Sequence, residues 1–179
     1  MKRRHSSDRN TASPRRSALI IQTSGAPPAL AVKIRKTARA ALNAERRNRG
    51  RLEVAVVADA EMRRLHRLWM GLGSTTDVLT FDLSDRPKAN AVDGQLVVCE
   101  PVARRRAAKS KSPWQSELLL YVVHGCLHLC GYDDVTAAEA ARMHRREDAI
   151  LRQLGFGPVY SDGAPVAEKK PPTRKRKKR

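Results

Sequence analysis

Two histidines four residues apart, His124 and His128, stand in the run HGCLHLCGYDD, which an acidic pair, Asp133 and Asp134, closes. Positions four apart share one face of a helix, so both imidazoles can reach a single ion. Gly131 breaks the helix and lets the chain turn back. That return can bring Asp134 to a third position around the same ion. Two imidazoles and one carboxylate suit zinc and leave a fourth place for water, whose ionisation the metal then brings near neutral pH. The plainer alternative is that both histidines are hydrogen-bonded core residues. Gly125 stands where zinc proteases of the H-E-x-x-H type carry their general base. Glycine accepts no proton, which argues against peptide hydrolysis by that route.

The other metal-binding residue types fit less well. Cys126 and Cys130 are each two residues from a histidine, some 200° around the helix, so they read as core packing, as does Cys99 at a strand end. His144, ten residues past Asp134, is a reserve ligand or a surface histidine.

Positioning these groups requires a buried helix. Trp114–Cys130 is apolar almost all round, as a central helix should be. Ser112 and Gln115 have capping-box spacing with Pro113 in the first turn, and Gly131 ends the run. A second capping-box spacing, Thr136 with Glu139, opens a last helix ending near Leu154. Upstream, Ala18–Gln22 and Leu52–Ala58 read as strands, with a helix over Ala29–Ala44 between them. Asp59 is a candidate cap for a helix from Ala60 to about Met70. Val78–Phe81 and Gln95–Cys99 are two further strands, and Asp82–Gly94 between them is loop-like. The expected fold is α+β: a single small domain of about four strands in one sheet and about four helices.

Lys and Arg number 36 against 18 acids, a net charge of +18, but the excess is uneven. Residues 1–17 carry +5, residues 169–179 carry +8, and the longer middle only +5. We expect a domain over residues 18–160 between disordered basic tails at 1–17 and 161–179, because like charges repel and few apolar residues offset the ordering entropy. Such tails gain from counterion release on phosphates, so nucleic acid is the expected partner class. No apolar run approaches the ~20 residues of a membrane span, and no membrane partner is expected. Three cysteines are too few for a disulfide scaffold, and the N-terminus lacks a secretory signal's apolar core. A reducing, cytoplasmic setting is expected.

The histidine segment resembles the H-G-x-L-H-L-x-G-Y-D-H signature of the YbeY endoribonucleases, a family of rRNA maturation factors. Thr76-Asp77-Val78-Leu79-Thr80-Phe81 is similar to that family's T-D-V-L-S-F segment, and Gly94–Cys99 to its G-D-I/L-x-I-x segment. Order and separations also agree, over roughly residues 18–157. The resemblance implies helices packed on a four-stranded sheet, one zinc ion in a cleft, and cleavage specific for single-stranded RNA. It also implies a role in ribosomal RNA processing, notably at the 3′ end of 16S rRNA, and in ribosome quality control, with ribosomal RNA and the ribosome as partners. Three positions depart from the family pattern. Its third histidine aligns with Asp134, which keeps a metal-binding group. An arginine aligns with Met70, removing a cation that could hold substrate phosphate. Arg67, one turn earlier, is a candidate substitute in substrate binding or an exposed structural arginine. The aspartate of G-D aligns with Gln95, a change without a physical account.

The leading reading is therefore a zinc-dependent endoribonuclease with His124, His128 and Asp134 as ligands and no assignable general base. Two others stand beside it. One is a non-catalytic RNA- or ribosome-binding protein retaining a structural zinc, which the arginine loss favours. The other is a zinc hydrolase of a small molecule, which leaves the large positive charge without a purpose.

Overall fold

The structure, a computed structural model, describes residues 18–85 and 89–156. The two expected tails, and residues 157–160 of the expected domain, lie outside the described residues. Four strands, β1 (Leu19–Ser24), β2 (Arg49–Val57), β3 (Val78–Asp82) and β4 (Ala91–Cys99), form one sheet in the order β1-β2-β4-β3. β1, β2 and β4 run parallel. β3 pairs antiparallel with β4, from Val78 opposite Val98 to Asp82 opposite Gly94, and stands at the sheet edge. The helices are α1 (Pro28–Ala44), α2 (Asp59–Met70), α3 (Glu100–Ser110), α4 (Trp114–Leu129) and α5 (Ala137–Gln153).

Strand side chains alternate between faces, and each face has its own cover. Leu52, Val54, Val56, Leu96 and Val98 join the main core with α1, α4 and α5. One residue out of step, Val97, Cys99 and Leu79 meet Met62 of α2 on the opposite face, with Phe81 at that cluster's margin. α4 lies inside the main core, with Leu118 to Val123 and Gly125 to Leu127 all buried, which is why its sequence is apolar on every side. Gly125 sets how closely α4 approaches the sheet. A Cβ there would stand 2.6 Å from Leu96 Cδ2 and 3.1 Å from Thr80 Oγ1. Any larger residue here would require the Leu96 and Thr80 side chains to shift.

The structure corrects several sequence expectations. Five helices replace about four; α3 buries only Ala103 and Ala107, too faint an apolar stripe to read. β2 begins at Arg49 and β4 at Ala91, so the expected loop at 82–94 is shorter. Pro113 is the N-cap of α4 without a side-chain cap bond, and the Ser112 hydroxyl pairs with that of Ser110 at 2.8 Å. The capping box of Thr136 and Glu139 is present. Among the described residues no helix is long and apolar enough to cross a membrane.

Asp59 is not a cap either: Ala58 is the N-cap, and Asp59 lies in the first turn of α2. Its carboxylate takes two bonds from Arg105 of α3, at 2.6 and 3.0 Å. These bonds hold the carboxyl down to about 2 from its ordinary 3.8. A depressed carboxyl stabilises the fold above its unfolded pKa and loses that effect as pH falls through the folded value. Asp59→Asn should therefore cost about 1 kcal/mol at pH 7, after screening at this partly exposed site. The difference should close between pH 4 and 2, and denaturant unfolding at the two ends checks it.

Candidate metal centre

His124 and His128 project from the last turns of α4 toward one point, with their Nε2 atoms 3.0 Å apart. Each ring is held from behind through Nδ1. His128 Nδ1–H donates to the Tyr132 carbonyl at 3.0 Å. A carbonyl only accepts, so the proton of a neutral His128 ring is on Nδ1 and its Nε2 presents a bare lone pair. Burial, and His124 beside it, push the His128 pKa down, which favours that neutral ring. His124 Nδ1 lies 2.7 Å from Oε1 of Glu147, a fully buried carboxylate on α5. A histidine backed by a carboxylate or a carbonyl is the common arrangement around bound metals.

The third group arrives by a turn. The α4 helix ends at Leu129, and Gly131, at φ +91°, takes a left-handed conformation that costs glycine little. The Tyr132 N–H donates back to Leu127 O at 3.0 Å, and its hydroxyl donates to Glu45 Oε2 at 3.3 Å. Glu45 in turn accepts from Arg146 Nε at 2.5 Å, tying the turn to α1 and α5. Asp133 caps the next residue, its Oδ1 accepting from the Asp134 N–H at 2.8 Å. Asp134 points inward, with carboxylate oxygens 3.9 Å from His124 Nε2 and 4.0 Å from His128 Nε2.

One ligand atom from each of His124, His128 and Asp134 lies within 4.8 Å of the others. Ligands at about 2.0–2.2 Å from one ion stand no more than about 4 Å apart, so a small closure of Asp134 completes the set. With Glu147 as a carboxylate accepting from His124 Nδ1–H, both Nε2 atoms would carry lone pairs facing each other across 3.0 Å, which repel unless a proton or a cation lies between them. The donor set thus fits a zinc-type ion with three protein ligands.

The site lies in a cleft of about 430 Å³. All five residues of β3 line it, together with Met70, Asp77, Leu129 and the three donor residues. Arg67 does not line this cleft; with Arg63 and Arg64 it borders a separate hollow on α2. His144 is partly buried on α5 and outside the donor group. Cys126 is buried and Cys130 half-buried. Burial raises both thiols, that of Cys130 to about 11, so they remain protonated rather than metal-binding thiolates. Cys99 is buried between Asp59 and Thr75, its thiol also raised. Sequence reasoning missed Glu147. It occupies the buried stripe of α5 with Ala140, Met143, Ile150 and Leu151, and a carboxylate in an apolar stripe was the available signal.

The family profile described as endoribonuclease YbeY matches residues 22–155. The chain belongs to the YbeY endoribonuclease family. Its enzyme class is that of an endoribonuclease, a hydrolase acting on RNA. The endoribonuclease YbeY of Anaeromyxobacter sp. (strain Fw109-5) is 36% identical over 135 residues, which cover 75% of this chain and 70% of the relative. That of Aromatoleum aromaticum is 37% identical over 163 residues, covering 87% and 99%. The solution structure of TM1509 from Thermotoga maritima superposes with a TM-score of 0.54 at 21% identity, covering 83% of this chain and 99% of that one, a likeness of fold.

Proposed function

We propose that this YbeY-family protein is a zinc-dependent endoribonuclease that cuts single-stranded RNA in the cytoplasm. We further propose ribosomal RNA as its substrate, including the 3′ end of 16S rRNA, and ribosome quality control as its setting. The observation that carries the reading is the pair of imidazole Nε2 atoms, 3.0 Å apart beside Asp134, at the wall of a cleft open along β3. When bound, zinc supplies Lewis acidity toward a phosphoryl oxygen. The chain's own residues do the rest. Glu147 and the Tyr132 carbonyl fix the two rings, while Asp134 adds a negative charge to the site. Met70 and β3 bound the space left for the strand. Met70, in place of the family's arginine, favours a second reading: an RNA- or ribosome-binding protein with a structural zinc.

A cleavage assay on single-stranded RNA, with zinc measured in the same preparation, separates the two. Wild type should hold one zinc per chain and cleave. Asp134→Ala, left with two protein ligands, should lose zinc on dialysis and lose cleavage, while Asp134→His should keep the metal. Stoichiometric zinc without cleavage in the wild type supports the binding protein. Zinc fully retained in Asp134→Ala removes Asp134 from the ligand set. Tail charge bears on the same substrate. A chain lacking residues 1–17 and 169–179 should bind RNA with a shallower salt dependence, since it releases fewer counterions; an unchanged slope excludes tail contact.

A further inference from the structure

Around the end of α2 the protein exposes large apolar side chains, two of which, Leu68 and Trp69, lie outside the lining of the metal cleft. Trp69 is 61% exposed, Met70 57% and Leu68 64%. The Trp69 ring meets Phe81 edge-on, centroids 5.3 Å apart with planes at 61°. Phe81 belongs to β3 and lines the metal cleft, as does Met70, the residue after Trp69. The aromatic pair and the metal donors therefore border the same strand.

The pleat explains the arrangement. Phe81 lies with the cluster on the α2 face of the sheet, whereas Thr80, one residue earlier, faces Gly125 of α4 on the other. β3 is an edge strand, so no neighbouring strand separates the two faces there. A chain laid across this edge has the histidines and Asp134 on one side and the Trp69 ring on the other. An edge-to-face pair fixes the tryptophan while leaving it largely open to solvent, ready to receive a flat, polarisable group. Sequence-tolerant single-strand binders hold bases on such exposed aromatic faces. Arg63 and Arg67, one turn apart on α2, belong to another face of the helix, Arg67 some 200° around from Trp69.

We propose that Trp69, braced by Phe81, is a stacking platform for a base of the bound RNA strand, next to the nucleotide whose phosphate lies at the metal donors. The proposal rests on the RNA-cleavage reading above. It gives this chain an apolar grip on substrate where Met70 removes a cationic one, and it explains a preference for unpaired strands, because a base within a duplex has no free face to offer.

The test measures binding without turnover. A fluorescently labelled 2′-O-methyl hexauridylate and its abasic counterpart, with the same phosphates, are titrated by anisotropy against the zinc-loaded wild type, Trp69→Ala and Trp69→Phe. Trp69→Ala should weaken the base-bearing strand about 5- to 150-fold, the range for losing one stacked base, and leave the abasic strand unchanged. Trp69→Phe should restore most of the loss. In a Trp114→Phe background, where Trp69 is the sole tryptophan, the base-bearing strand should quench the remaining fluorescence. Equal effects of Trp69→Ala on both strands, or none on either, overturn the stacking role while leaving the RNA reading intact, and the patch would then be free to meet a protein. A wild type that binds neither strand overturns both.

Discussion

His128→Ala should lose zinc and reduce RNA cleavage to the assay background while leaving the fold nearly intact. In the proposed zinc site the ring is one of three protein ligands, and the two that would remain do not form a durable site. Its loss costs little elsewhere. The His128 side chain is 27% exposed, and besides His124 and Asp134 it meets the Tyr132 carbonyl, on a partly exposed residue that water can reach. The expected stability cost is about 1 kcal/mol, that of one hydrogen bond. His124→Ala makes the informative contrast. It also removes a proposed ligand, but it strands Glu147, whose side chain is wholly buried. Breaking a buried pair from one side costs about 3–5 kcal/mol. Both variants should lack metal and activity, but only His124→Ala should unfold markedly earlier. Metal analysis and thermal unfolding on the same samples check this. Stoichiometric zinc with near wild-type cleavage in His128→Ala would mean that the histidine pair is structural.

That contrast marks the boundary of what the chain reveals before it folds. Local spacing placed His124, His128 and Asp134 together, because a four-residue step and a glycine turn are short-range geometry that tertiary contacts did not override. The same holds for the Thr136 capping box. The strands were visible in their β-branched runs, but their starts were not. Arg49 and Ala91 join the ladder because β2 and β4 pair with each other in register, a non-local cause. Asp59 looked like a cap because it precedes a helix; Arg105, 46 residues away, claims its carboxylate instead. Arg67 looked like a stand-in for the missing arginine, yet the cleft is bordered by Met70, one turn on, and Arg67 lies beside Gly73. Glu147 and the Trp69–Phe81 pair depend on contacts across 23 and 12 residues, between elements whose facing only the fold decides.

Glu147→Gln should weaken zinc binding by about 10- to 100-fold, the usual cost of altering a metal ligand's hydrogen-bond partner. The substitution keeps shape and keeps an oxygen able to accept from His124 Nδ1–H, but it removes a negative charge. That charge has no other visible purpose. Glu147 is fully buried, and its Oε2 has no hydrogen-bond partner among the described residues. A buried carboxylate with an idle oxygen is costly unless a cation lies near. With one divalent ion and one Asp134 carboxylate the site retains a positive charge, which His124 links directly to Glu147. The metal and the glutamate should therefore stabilise each other. Losing 10- to 100-fold in affinity removes about 1.4–2.7 kcal/mol of zinc-linked stabilisation at a fixed zinc excess. The rise in melting temperature on adding zinc should shrink accordingly, with a smaller change in the metal-free protein. Glu147→Leu, which cannot hold the ring at all, should lose more affinity than Glu147→Gln. Competitive titration against a zinc chelator, with melting curves with and without metal, separates these effects. Unchanged zinc affinity in Glu147→Gln, with the stability loss confined to the metal-free protein, would make Glu147 a packing residue of α5 and leave His124 to be oriented by the helix alone.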